Sequence, residues 1–175
     1  KVRNLIDDLK SVCSNYGLGN DGNEFKIITQ VFLYKFLHDK FVKEIKLIEK
    51  KLDHTNWEEK LANLSEDQFE IITMQLNEST ALLKPNQLIK SLFAKQNKAN
   101  FADIFDKTLM EIALQNNDIF SVITGGGEKI ALFENLSKYV SDNRDDFCKA
   151  IINKLVGFSF EDIFLEGFDF FATIF

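Results

Sequence analysis

Asn23-Glu24-Phe25-Lys26-Ile27-Ile28-Thr29-Gln30-Val31-Phe32-Leu33-Tyr34-Lys35-Phe36-Leu37-His38-Asp39 is the stretch that decides how this chain folds. Wound as a helix, its apolar residues (Phe25, Ile27, Ile28, Val31, Phe32, Leu33, Tyr34, Phe36 and Leu37) fall around nearly the whole circumference. A helix that is hydrophobic all round has to be surrounded by other elements. The pattern therefore predicts an all-α fold, a multi-helix bundle around a central hydrophobic helix running from Glu24 to about Leu52. From Lys40 onward the segment turns amphipathic and charged, and that half is expected to leave the core.

The flanking sequence supplies the partners. Val2, Leu5, Ile6, Leu9, Val12 and Tyr16 recur at the spacing of one helix face, and Tyr16 to Asn23 is a loop rich in Gly, Asn and Asp. Ser65-Glu66-Asp67-Gln68 reads as a capping box opening a helix through Phe69, Ile71, Ile72, Met74 and Leu76. Pro85 suits the first turn of a helix carrying Leu88, Ile89, Leu92 and Phe93. Asn100 with Asp103 is expected to open another through Phe105, Leu109 and Ile112. A helix is predicted after Gly125-Gly126-Gly127, carrying Ile130, Leu132, Phe133, Leu136 and Tyr139, and a further one carries Phe147, Ile151, Ile152 and Leu155. Ser159 to Asp162 is expected to cap a last helix. The stretch Asp53 to Lys60, with the lone Trp57, is the predicted connection between two sub-lobes, about 1–52 and 61–175, of one domain spanning 1–175.

Composition agrees with this reading. The 175 residues are 45% hydrophobic and 27% charged, with a single proline and 8 glycines, which is ordinary for a globular domain with few helix breakers. The net charge of −6 argues against a domain that holds DNA by its own field, though such a domain can line one wall of a larger DNA channel. Cys13 and Cys148 form no CxxC motif and have no histidine at ligand spacing; a bridge between them is possible on paper, and buried free thiols are the expectation. No stretch of about 18 uncharged apolar residues exists and no signal peptide is visible, so a cytoplasmic location is expected. The absence of a Met at Lys1 and the end at Ile174-Phe175, inside an apolar pattern, are expected of a piece of a longer protein.

Catalytic signatures are scarce. The triple glycine Gly125–Gly127 is followed by Glu128-Lys129-Ile130, which fits neither GxxxxGK[ST] nor GxGxxG, and an inter-helix loop is expected. His38 and His54 have no serine or cysteine nucleophile at a recognisable spacing, and the His38-Asp39 pair is expected to be solvated or partly buried. Asp7-Asp8, Glu58-Glu59 and Asp145-Asp146 read as solvated helix faces. No metal-ligand spacing occurs.

The block Asn23 to Asp39, preceded by the amphipathic Leu5-Ile6-Asp7-Asp8-Leu9-Lys10 and a polar loop, resembles the N-terminal helical domain of the modification subunit of type I restriction–modification systems. In that family a long hydrophobic helix has the form E-[YF]-K…L-x-F-L-K-x-[LF]-x-D. Glu166-Gly167-Phe168-Asp169-Phe170-Phe171-Ala172-Thr173-Ile174-Phe175 is similar to the helix that precedes the family's cofactor-binding domain. The resemblance implies a parent enzyme that methylates the N6 amino group of adenine with S-adenosylmethionine, working with a specificity subunit that reads DNA and a restriction subunit that cleaves it. The family's Asn-Pro-Pro-aromatic motif requires two adjacent prolines, and Pro85 is the only proline here. The resemblance thus makes this chain the helical domain alone, inactive by itself.

On that reading the domain helps to close around DNA and to contact the other subunits. Lys26, Gln30 and Lys40 fall near one side of the central helix, with Glu44 continuing the stripe. With Arg3 and Lys10 they are the candidate contacts to DNA or a partner. Two other readings stand beside it: a helical protein–protein interaction module unrelated to DNA modification, and a nucleotide-binding protein using the triple glycine. The cluster Phe168, Phe170, Phe171 and Phe175 is expected to be covered by a following domain, and to self-associate without it.

Overall fold

The computed structural model describes residues 1–120, 122–123, 129–130 and 133–161. At its centre is α2, Gly22–Ile48, which buries thirteen residues including Ile27, Val31, Phe32, Tyr34, Leu37, Phe41 and Ile45. Asp21 starts it: its carboxylate accepts from the Asn23 N–H at 2.8 Å, and Glu24 adds negative charge to the first turn. Glu49 ends it by turning extended (φ −116°, ψ 96°) and accepting the Lys51 N–H at 3.1 Å. A separate 3-10 turn, Lys50–Leu52, then seats Leu52 in the core, so the helix stops short of the predicted Leu52. The half beyond Lys40 does not leave the core either, since Phe41, Val42 and Ile45 are all buried. Phe25, counted with the core from its pattern, is 66% exposed.

Around it stand α1 (Val2–Asn15), α3 (Trp57–Ala62), α4 (Glu66–Thr73), α5 (Ile89–Ala94), α6 (Phe101–Gln115), α7 (Asn117–Phe120) and α8 (Arg144–Val156). The all-α bundle is as expected. The capping box forms: Ser65 Oγ accepts the Gln68 N–H at 3.2 Å and Gln68 returns an acceptor to the Ser65 N–H at 3.1 Å. Pro85 begins a 3-10 turn, Pro85–Gln87, and not the predicted helix, because Leu88 is extended (ψ 150°) before α5 starts. Asn100 precedes α6 in the left-handed region (φ 61°), where its side chain makes no cap; the Asp145 carboxylate supplies one instead, accepting the Ala102 N–H at 2.8 Å.

The helix predicted over Ile130 to Tyr139 does not form. Two two-residue strands, β1 (Val122–Ile123) and β2 (Lys129–Ile130), pair antiparallel, and Leu136–Tyr139 is a 3-10 turn. Glycines 125–127, the predicted last helix beyond Glu161 and the Phe168–Phe175 cluster lie outside the described residues.

One hydrophobic cluster takes in residues from both sides of the 53–60 segment. Within that segment Trp57 opens α3, Leu61 is buried, and Lys46 Nζ sits 5.0 Å from the Trp57 ring centroid. The α8 helix packs on α1, α5 and α6, and Tyr16 meets Phe147 edge to face at 5.4 Å. Cys13 and Cys148 are buried and unbridged.

Candidate functional site

The polar stripe on α2 is where the sequence places its strongest candidates, and much of it is occupied by the protein's own loops. Gln30 Oε1 accepts the Glu134 N–H at 2.9 Å and Gln30 Nε2 donates to the Glu134 carboxylate at 3.2 Å. Lys26 is exposed, with its ammonium 5.8 Å from the Tyr139 ring centroid. Lys40 donates to Ser79 Oγ at 3.1 Å and to the Ser79 carbonyl at 3.3 Å. Glu44 accepts from the Asn77 N–H and the Thr80 hydroxyl. The stripe thus serves as a landing strip for two excursions of chain, 133–139 on its first half and 77–80 on its second. Arg3 and Lys10 stand apart from it, exposed on α1. Lys10 borders a groove of about 470 Å³ between α1 and α2 that also includes Ile6, Phe25, Ile28 and Phe32.

A second polar group on α2 lies inside the core. Lys35, His38 and Asp39 are 5%, 8% and 8% exposed. Lys35 Nζ lies 3.0 Å and His38 Nδ1 2.8 Å from Asp39 Oδ1, while Asp39 Oδ2 accepts the Phe160 N–H at 3.0 Å. Burial would push the Asp39 carboxyl up; the His38 hydrogen bond, the Lys35 charge and the Phe160 N–H outweigh it and hold the carboxyl below its usual range. Burial holds the His38 imidazole below its usual value against the pull of Asp39, so the ring is neutral at pH 7 and donates through Nδ1. Phe160 itself is fully buried, with its ring edge to face with Phe32 at 5.1 Å and with Phe36 at 5.9 Å. The cluster therefore fixes where the chain passes after α8. Sequence reading left His38-Asp39 as a solvated or partly buried pair and passed over Lys35. The available signal was a Lys and an Asp four residues apart, inside a run that is otherwise apolar all round.

A third polar set joins α6, α8 and the 136–139 turn. The buried Asp106 carboxylate accepts from the Ser137 N–H at 3.2 Å and from the Ser137 hydroxyl. Arg144 donates to Ser137 Oγ at 2.8 and 3.0 Å and pairs with Asp103 at 2.9 Å. Burial pushes the Asp106 carboxyl up despite these donors. Neither histidine belongs to this set, so the Ser137 hydroxyl has no imidazole to take its proton, and the arrangement pins a turn.

The thiols offer no nucleophile. Burial raises Cys13 to about 11 and lifts Cys148 well above its ordinary value, leaving both as protonated core residues. Among the described residues no group of three or more His, Cys, Asp or Glu is placed to hold a metal ion, and no helix is long and apolar enough to cross a membrane. A surface concavity of about 530 Å³ lies beside α3 and α4 and is lined by Leu52, Leu64, Ile71 and Ile72 with His54 and Lys60. No family model, no curated protein and no solved structure matches the chain.

Proposed function

We propose that this chain is the N-terminal helical domain of the modification subunit of a type I restriction–modification system. It serves S-adenosylmethionine-dependent N6-adenine methylation performed by a following catalytic domain, in the cytoplasm. Its task is to help clamp DNA and to assemble with the specificity and restriction subunits. The observation that carries this reading is the Asn23–Asp39 block. Its closing K-x-[LF]-x-D is met by Lys35, Leu37 and Asp39. The Lys and Asp of that pattern form one buried ion pair, and the Asp also holds the backbone of Phe160. The residues behind the resemblance are thus the ones that tie the route of the C-terminal segment to the central helix. That segment leads to Glu166–Phe175, which resembles the family's approach to its catalytic domain.

Reading the gene past Phe175 tests this directly. An Asn-Pro-Pro-aromatic motif downstream, and a specificity-subunit gene alongside, are the expected result. A stop codon or an unrelated domain would overturn it. The biochemical counterpart is N6-methyladenine formed by the full-length subunit with its specificity subunit and S-adenosylmethionine.

The reading as an interaction module unrelated to DNA modification has one observation in its favour. Leu47, Ile71 and Met74 are 58%, 61% and 77% exposed, and Ile71 borders the groove beside α4. Co-purification of the full-length protein with a partner other than a specificity subunit would favour it.

A further inference from the structure

Charge along this acidic chain is sharply segregated. From Ser79 to Ala102 there are four lysines (Lys84, Lys90, Lys95 and Lys98), and from Phe147 to Phe160 there are two more, Lys149 and Lys154. Those two stretches hold six of the 21 basic residues and none of the 27 acidic ones. The fold brings them together, since α5 and the turn after it pack along α8. Two hydrogen bonds stitch the seam: Lys149 Nζ donates to Asn97 Oδ1 and Asn153 Nδ2 donates to Gln96 Oε1, each at 2.7 Å.

Those bonds set the polarity of the surface. A lysine ammonium is only a donor, so it fixes the Asn97 oxygen inward and turns the Asn97 NH₂ outward. Asn153 also donates to the Lys149 carbonyl at 2.7 Å, which fixes its amide and makes the Gln96 oxygen the acceptor. The Gln96 NH₂ and the Asn97 NH₂ then have no partner among the described residues. What faces outward is a set of donors: two side-chain amide NH₂ groups with the ammoniums of Lys95, Lys98 and Lys149. Three nearby carboxylates are engaged elsewhere. Asp145 caps α6, Asp8 faces Lys154 at 3.9 Å and Glu58 holds Lys90 at 2.6 Å; Asp146 lies one turn before Lys149 at the edge. A donor-rich surface suits a ligand that presents acceptors, and Lys, Asn and Gln are residues that commonly bind phosphodiester oxygens. An acidic protein partner fits less well: of the exposed large hydrophobics, the kind of anchor a protein interface uses, Phe25, Leu47, Ile71, Met74 and Leu114 lie on α2, α4 and α6, and α8 contributes only Val156, at 38% the least exposed of them.

We propose that the face formed by Lys95, Gln96, Asn97 and Lys98 after α5, together with Lys149 on α8, docks the phosphate backbone of duplex DNA. It rests on the reading of the chain as a DNA-clamping domain and names the surface that does it, which is separate from the Lys26–Lys40 stripe. The test is amide NMR of the 175-residue chain titrated with a 16-base-pair duplex at low salt. Shifts are expected at residues 95–98 and 149–153 and at the Asn97 and Gln96 side-chain NH₂ signals. In fluorescence anisotropy, the slope of log K against log salt should flatten by about 0.9 for each lysine removed in K95Q/K98Q/K149Q. K98Q alone, at an exposed lysine with no ion pair among the described residues, should flatten it by about 0.9 without touching the fold. Shifts confined to Arg3, Lys10 or Lys26 would overturn this face while leaving the clamp reading intact. Equal binding of poly-glutamate at residues 95–98 would overturn the DNA assignment, and DNA shifts nowhere on the chain would overturn the proposal outright. The gene-level test above decides the parent reading independently.

Discussion

Replacing Asp39 by Asn removes one negative charge from the centre of the bundle and puts an NH₂ donor where Oδ1 now faces Lys35 and His38. Asn keeps an oxygen for the Phe160 N–H, so that bond need not be orphaned. Lys35, 5% exposed, is left as a buried ammonium without its counter-ion. Removing one partner of a buried pair costs about 3–5 kcal/mol. The expected loss for D39N is therefore about 3–5 kcal/mol, or a fall in Tm of about 6–20 °C for a domain of this size. Urea denaturation followed by circular dichroism measures it. The informative partner is K35M/D39N, in which the stranded charge is gone and a chain of similar length fills its place. It should recover to within about 1 kcal/mol of the parent, a coupling of at least about 2 kcal/mol between the two positions. A D39N loss below about 1 kcal/mol, or a double variant no better than D39N, would refute the idea that Asp39 is what makes Lys35 tolerable there.

The neighbouring imidazole gives a pH dependence of definite sign. His38 is held below 6.5 in the folded chain, so the unfolded chain binds more protons and stability is lost as pH falls through 6.5. H38N, which keeps a donor for Asp39, should remove that decline, and urea midpoints between pH 7 and about 5 that fall equally in both proteins would count against it. Asp145→Ala should cost about 1 kcal/mol and speed hydrogen exchange at the Ala102 amide, because it removes the cap of α6; an unchanged exchange rate would show that the cap is dispensable. Gln30→Ala should cost about 1–2 kcal/mol and expose the Glu134 amide to exchange, whereas loss of DNA affinity with no change at Glu134 would return Gln30 to the role of an external contact.

What could be read from the sequence was what is decided within a turn or two of chain. The capping box at Ser65 and the encirclement of Phe32 and Leu37 depend on neighbours a few residues away, and both are present. What failed depended on partners far along the chain. Phe133, Leu136 and Tyr139 have helical spacing, yet Gln30, 104 residues upstream, holds Glu134 in a non-helical path. Asn100 is a good capping residue by type, but it adopts the left-handed region and Asp145, 43 residues beyond the capped Ala102, takes its place. The stripe of Lys26, Gln30, Lys40 and Glu44 was legible as polar positions. That two loops land on it was not, because nothing in a helix's own periodicity says whether a polar side chain meets water or a backbone amide. Lys35 was hidden in the same way: a lysine in an apolar run reads as solvated until the fold brings an aspartate and a closed wall around it.

The packing of α1 against α8 also imposes an order on how the chain can be completed. The two helices are separated by about 130 residues, and at roughly 5–20 residues per second a ribosome needs some 6–26 seconds to supply the second after the first. During that interval Leu5, Leu9, Val12 and Cys13 have α2 to rest on but lack half of their seat, including Phe147 against Tyr16. The α1 helix is thus among the last of these helices to be locked, and the nascent domain carries an open hydrophobic flank until α8 clears the exit tunnel. Slowing translation between Gln115 and Arg144 would prolong that exposure, and chaperone capture of stalled chains is where it would be seen.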